Sequence, residues 1–200
     1  MREEHDRIIV AIAGPPASGK TTLADELARR LNAQKCLTAV MPQDGFHLDN
    51  AVLEARGDLP RKGAPHTFDG AGFVHTVKRL QDQVDVAVPV FDRPRDLSVA
   101  GARIIPGEAE VIVVEGNYLL FDDAPWSDLA PIWTLSARLD VPMADLRARL
   151  IQRWLGHGLS SAAATRRAMS NDIPNAQTVL DKALPADITF GADGQVLTND

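Results

Sequence analysis

The stretch from Gly14 to Thr22, GPPASGKTT, stands directly after the apolar run IIVAIA, Ile8 to Ala13. It fits G-x-x-x-x-G-K-[ST] in full, with a strand pattern before it and a helix pattern after it. A plain turn needs far less. Glycines let backbone N–H groups curl around an oxyanion with no Cβ in the way. A helix that starts near Lys20 aims its unpaired N–H groups and positive dipole end at the same point. Lys20 offers a mobile positive charge to the β and γ phosphates, and Thr21 offers a hydroxyl to a magnesium ion, Mg2+. The bland alternative is a chance glycine turn capping a helix; the full motif in its strand-to-helix context argues against it. Gly14, Ala17, Ser18, Gly19, Lys20, Thr21 and Thr22 are therefore read as residues that hold ATP.

A strand, a phosphate-binding loop and a helix in that order require a layered α/β chain, and the rest of the sequence alternates accordingly. Thr21 to Leu31 has Leu23, Leu27 and Leu31 on one helix face. Cys36 to Met41 is a second apolar run, stopped by Pro42. Asn50 to Arg56 makes one or two helical turns, and DLPRKGAPHTFDG is loop by composition. Asp69 to Gln81 reads as a helix capped by Asp69. Val84 to Phe91 is a third strand and Arg103 to Ile105 a short edge strand. Val111 to Val114 is a fourth, buried run ending in Glu115-Gly116, and Ile132 to Leu139 a fifth. Met143 to Leu155 and Ser160 to Met169 are helices on either side of Gly156-His157-Gly158, and Asp187 to Phe190 is a last short strand. The pattern predicts a three-layer α/β fold with a mainly parallel five-stranded sheet. Trp126, Trp133 and Trp154 are expected to pack in the core, and Asn171-Asp172 with Asn175 to serve as turn and cap residues.

Two hundred residues allow one sizeable core, so one domain is expected. A net charge of −6 argues against a general nucleic-acid binder. Cys36 is the only cysteine, which excludes an intrachain disulfide and fits a reducing cytoplasm. The apolar run near the N-terminus is too short for a signal segment, and no stretch reaches membrane-spanning length. Neither nucleic acid nor membrane is therefore expected as a partner, and a homodimer is left open; a small-molecule hydroxyl acceptor is expected on the ground of the site residues that follow.

The chemistry beyond ATP binding rests on two carboxylates. Glu115 ends a buried strand, where a carboxylate completes a metal site with Thr21, by way of a metal-bound water; a strand-end carboxylate facing solvent is the alternative. Asp44, in QDGFHLDN, follows the second strand. In such sheets ligands bind beyond the carboxyl ends of the strands, so Asp44 belongs near the phosphate loop. There it accepts the proton of an attacking hydroxyl, unless Asp44-Gly45 is only a turn. Arg149 and Arg153 share a helix face before a glycine-flanked break that reads as a hinge.

Six stretches, GPPASGKTT, QDGFHLDN, RKGAPHTFD, VFDRPRD, VEGNYLL and RARLIQRWLGHG, run in this order from Gly14 to about Gly158. Together they resemble the P-loop small-metabolite kinases of the uridine kinase, pantothenate kinase and phosphoribulokinase superfamily, in particular the bacterial nucleoside kinase-like, or fructose transport system kinase, group. The resemblance implies that Asp44 is the catalytic aspartate, with Lys20 and Arg153 at the transferring phosphate. It implies that His47, Arg61, Lys62, Phe91, Asp92 and Arg93 border the acceptor pocket, and that a helical lid over about 149–170 brings Arg149 and Arg153 onto the phosphates. The sequence departs from uridine kinases at His157-Gly158-Leu159, where they carry an RGR, and from pantothenate kinases at Arg93, where they carry a histidine. The basic residues of the pocket loops point toward an acceptor carrying negative charge. The competing functional class is an ATPase or nucleotide switch coupled to a protein partner; the acceptor-side loops argue for the kinase.

Overall fold

The computed structural model describes residues 7–197. Strand β1, Ile8–Ala13, is apolar because both faces of its sheet are covered. Ile9, Ala11 and Ala13 enter one core cluster, Val10 and Ile12 the other. β1 pairs in parallel with β5, Val111–Gly116, on one side and with β6, Leu135–Leu139, on the other. β2, Thr38–Pro42, lies outside β5, and β7, Ile188–Phe190, outside β6. β8, Val196–Leu197, adds an antiparallel edge, giving the order β2-β5-β1-β6-β7-β8.

Helix α1, Lys20–Ala33, packs Ala24 with Leu146 of α4, Met143–Gly156, on one face of this sheet. Helix α3, Gly70–Arg79, and the 3-10 helix Trp126–Ile132 cover the other with Phe73, Val77, Trp126 and Leu129. Asp69 caps α3 as expected, its carboxylate accepting from the Gly72 N–H. The architecture is the expected three-layer α/β fold with a mainly parallel sheet. Six strands form the sheet, five of them mutually parallel.

Two expectations change. The third predicted strand leaves the central sheet. β3, Val86–Asp92, pairs only with β4, Leu97–Ile105, as a separate antiparallel hairpin. The sequence carries part of the reason: Pro89 cannot donate to a ladder on both sides, and only Val86 and Val88 of the strand are fully buried. The second change follows the predicted last helix. α5, Ser161–Arg167, continues through a π-helical turn, Ala168–Asp172, into α6, Ile173–Asp181. Asparagines and a proline depress helix propensity there. Pro174 is tolerated in the first turn of α6, and Asn171 and Asn175 are buried with partners.

The parallel strands all end at one edge. The phosphate loop, the segment after β2 and the segment after β5 therefore meet there.

Candidate active site

The phosphate loop is curled by left-handed residues. Gly19, at φ 102°, caps α1, and Ala17 sits at φ 65°. Such alternation builds an anion-binding nest of backbone N–H groups. Gly14 leaves room for Ser18, whose Oγ would lie 2.7 Å from a Cβ at that position. Ser18 is buried and its hydroxyl has no protein partner. Pro16, Ala17, Gly19, Lys20, Thr21 and Thr22 line one end of a cleft of about 1030 Å³.

Strand register brings the carboxylates to that end. Glu115 lies opposite Ile12 on one side and Pro42 on the other. Thr21 Oγ1 donates to Glu115 Oε1 at 3.1 Å. Burial pushes the Glu115 carboxyl up, and the Asp44 charge adds to it, against the pull of Lys20 and the Thr21 hydrogen bond. A buried acid and a hydroxyl converging in this way suit a hard divalent cation, which would hold the acid ionised.

Asp44 lies in the 3-10 turn Gln43–Phe46 that follows β2. The turn is fixed on two sides. Gln43 Oε1 accepts from the Tyr118 N–H at 3.1 Å, crossing Gly116 where a Cβ would stand 2.2 Å away. A Cβ on Gly45 would stand 2.3 Å from the Pro89 carbonyl oxygen of the hairpin. Gly45 is thus a point of close approach rather than a free turn residue. Arg93 Nη2 donates to Asp44 Oδ2 at 2.6 Å. Burial pushes the Asp44 carboxyl up, but the charges of His47, Lys20 and Arg93 outweigh it and hold it below the usual range. Burial pushes the His47 imidazole down, against the attraction of Asp44.

The cleft continues from Asp44 along the hairpin and the loop after helix α2, Asn50–Arg56. His47, Lys62, Phe91 and Arg93 line it. Lys62 Nζ meets Asn50 Oδ1 at 2.7 Å, the Asp96 carbonyl at 2.8 Å and Asp96 Oδ1 at 2.9 Å. Arg61 and Asp92 do not line it. Arg61 donates to Asn175 Oδ1 at 3.2 Å and toward the Ser170 carbonyl, while Asp92 binds the backbone and guanidinium of Arg95 within its own turn.

The facing wall comes from α4 and the residue after it, the end of α5, the π-helical turn and α6. Arg153, Trp154, His157, Arg167, Asp172 and Asn175 line it. Trp154 is a cleft residue, not core: its Nε1 donates to Asp172 Oδ2 at 2.5 Å, and Arg167 stacks over its ring. Arg149 lies outside the lining and reaches the carbonyls of Ala17 and Ser18 at 3.4 and 3.3 Å. Asn171 donates to the Lys62 carbonyl at 2.7 Å, so the turn is tied to the opposite loop.

No family model matches the chain. Protein YggC of Escherichia coli K12 is 33% identical over 184 residues, 91% of this chain and 76% of that protein. The Schizosaccharomyces pombe protein C227.14, named a "Putative uridine kinase", is 32% identical over 202 residues, 95% of this chain and 85% of that protein. The solved structure of a "putative fructose transport system kinase" from Silicibacter sp. TM1040 is 52% identical, with a TM-score of 0.90, and the match covers 95% of this chain and 92% of that one. The chain belongs to the P-loop small-molecule kinases of the uridine kinase, pantothenate kinase and phosphoribulokinase superfamily.

In this kinase the cleft also contains residues to which the sequence reading gave no role there: Asn50, Asp96, Asn117, Trp154, Asp172 and Asn175. Asn117 sits inside the quoted EGNYLL and carried a signal, since a polar residue just past a buried strand end faces the ligand edge. Asn50, Asp96, Asp172 and Asn175 carried none, because each looks like a cap or turn residue until the chain is folded.

Proposed function

We propose that the kinase moves the γ-phosphoryl group of ATP to a hydroxyl of a small metabolite, with Asp44 as general base. One observation carries this reading: Asp44 lines the same cleft as the phosphate-loop residues, together with His47, Lys62, Phe91 and Arg93 from segments outside that loop. Lys20 enters no ion pair among the described residues and faces the cleft, which suits a charge kept for a transferring phosphate. Thr21 and Glu115 would hold Mg2+, whose charge offsets that of the phosphates when it is bound. Asp44 accepts the proton of the acceptor hydroxyl, and the Arg93 bond orients the carboxylate for that task.

We read the chain as one kinase domain with its lid over about 149–170. Arg153 lines the cleft with no ion-pair partner among the described residues, and Gly158, at φ 85°, follows it at the end of α4. Arg153→Ala is expected to lower kcat by about tenfold or more while ATP affinity of the open form changes little, because its contact forms on closure. Steady-state kinetics beside calorimetric ATP titration measures this; an unchanged kcat returns Arg153 to a solvated face. All residues used come from one chain, and no helix among the described residues is long and apolar enough to cross a membrane. A cytoplasmic setting, where ATP is at hand, fits the same reading.

The decisive experiment is a screen of metabolite hydroxyl compounds for acceptor-dependent ADP release, with the product identified by mass spectrometry. Stoichiometric phosphorylation of one class is expected. Hydrolysis that ignores every acceptor and responds to an added protein would replace the kinase by the switch.

A further inference from the structure

Buried polar side-chain atoms without a partner are rare enough that each one calls for a cause. Among the described residues they are Ser18 Oγ, Gln43 Nε2, Asn117 Oδ1 and Arg138 Nε. All lie at the edge where the parallel strands end. Ser18 is in the phosphate loop, Gln43 just after β2, Asn117 just after β5, and Arg138 on β6 opposite Ala13. Of these residues, Asn117 also lines the cleft. From Val111 to Phe121 every residue is buried except Asn117. Its backbone is clamped on both sides. A Cβ on Gly116 would stand 2.2 Å from Gln43 Oε1, and the Tyr118 N–H donates to that same oxygen at 3.1 Å. The Tyr118 hydroxyl donates to the Gly63 carbonyl at 2.6 Å.

Strand order fixes where Asn117 stands. β5 lies between β1 and β2. The phosphate loop with Lys20 follows β1, and the turn with Asp44 follows β2. Gly116 is level with Ala13, and Glu115 with Pro42. One residue further on, Asn117 stands between the start of the loop and the turn. A phosphoryl group passing in line from a nucleotide in the loop to a hydroxyl at Asp44 crosses that gap.

The rear of Asn117 decides which way its amide points. Asn117 and Arg138 border a second, small cavity behind Gly14 and Pro15, of about 10 Å³, the room of a single water molecule. Arg138 brings an N–H to it that has no acceptor, and its guanidinium is only loosely paired, 4.0 Å from Asp140. A donor behind the amide calls for the amide oxygen, and Oδ1 is the atom that is buried. The NH2 group is left for the cleft, where Nδ2 enters no hydrogen bond among the described residues. Ionised phosphate oxygens only accept, so this is the end that suits them.

Resting on the kinase reading above, we propose that Asn117 is a further phosphate-binding residue, whose Nδ2 donates to the γ-phosphoryl group of ATP. Arg138 is the positioning residue behind it and fixes the amide across the small cavity. Lys20 supplies charge to the phosphoryl group, and Asn117 supplies a directed donor on a clamped backbone.

The test needs no acceptor. Calorimetry compares the affinity for ADP with that for AMP-PNP, an ATP analogue that is not turned over, both with Mg2+. The parent, Asn117→Leu and Asn117→Asp are measured, each beside a thermal melt. Leu has no polar end; Asp keeps an oxygen toward Arg138 and sets a second one where the donor was. AMP-PNP affinity is expected to fall about tenfold or more in Asn117→Leu, the scale of one hydrogen bond to a charged group, and further in Asn117→Asp, with ADP affinity within about twofold of the parent. Equal losses for the two nucleotides would make Asn117 a support of the loop and overturn the proposal, as would unchanged AMP-PNP affinity in either variant. Should Asn117→Leu not fold, the nearly isosteric Asp variant decides alone. Arg138→Met is expected to lower the ratio of AMP-PNP to ADP affinity in the parent and to add nothing in an Asn117 variant, since it acts through the amide. An unchanged ratio in the parent, or the same loss in both backgrounds, overturns the positioning role. A parent that binds neither nucleotide overturns the kinase reading as well; a parent that prefers AMP-PNP whatever stands at position 117 leaves that reading intact and removes only Asn117.

Discussion

Asp44→Asn protein is expected to bind ATP with Mg2+ almost as the parent does and to lose phosphoryl transfer by about 10²–10⁴, the scale of general-base removal. The loss falls in kcat, because the carboxylate acts on the hydroxyl only as it attacks. The alternative, a turn residue, predicts near-normal transfer, since Asn adopts the same turn geometries. The geometry sharpens the contrast. The turn is held by Gln43 across Gly116 and by Gly45 against Pro89, and Asp44's own side chain takes no part in either contact. Asn at 44 should therefore leave the local backbone as it is. The Arg93 pair adds a pH reading. With burial opposing, His47, Lys20 and Arg93 together hold the Asp44 carboxyl below the usual range. The base is thus ionised across neutral pH, and the acid limb of kcat/KM should lie below the ordinary carboxylate range. Arg93→Ala removes one of those charges, so that limb should move to higher pH. Transfer measured over an acid series in the parent and both variants, with calorimetry for ATP, tests all of this. Retained transfer in Asp44→Asn would move the search for a base elsewhere in the cleft; Asp92 is held in its own turn by Arg95.

The phosphate-loop half of this site was legible because its chemistry is local. Nine consecutive residues, from Gly14 to Thr22, hold the glycines, the lysine and the hydroxyls, and continuous apolar runs announce β1 before them and its sheet neighbour β5. Parallel order then places Glu115 and Asp44 at the strand ends, which is as far as pattern reaches. The acceptor half is built from contacts distant in sequence, and pattern says nothing of partners. Lys62 looks like a free cation in RKGAPHTFD; Asn50 and Asp96, from two other segments, saturate it. Asp92 looks like Asp96 in FDRPRD, yet one serves its own turn and the other lines the cleft. Trp154 lies four residues after Leu150 and looks like its companion on the buried face of α4. Leu150 is fully buried, while Trp154 turns to the cleft and Asp172. The hairpin was misplaced for a related reason: a short strand's sequence records its alternation, not which sheet it joins.

Lys20→Ala is expected to lower turnover by about 10²–10³, the scale of losing one preorganised group that stabilises charge in the transition state. Negative charge on the transferring phosphate is gathered at the loop end of the cleft, partly shielded from water, where a fixed cation acts strongly. Among the described residues no carboxylate pairs with Lys20, so nothing competes with the phosphate for it, and no neighbour replaces it once removed. Arg149 is directed onto the Ala17 and Ser18 carbonyls, and Arg153 lies on the facing wall. The fold should survive the change. Lys20 opens α1, where Ala is a better helix former, and its side chain lines the cleft instead of joining either core cluster. Lys20→Arg should rescue little, because a longer planar guanidinium presents its charge and donors in a different geometry from a compact ammonium. Single-turnover transfer separates chemistry from ATP binding, and a thermal melt checks folding. Near-normal turnover by well-folded Lys20→Ala protein would refute the assignment, since the phosphate loop would then be holding its ligand by backbone alone.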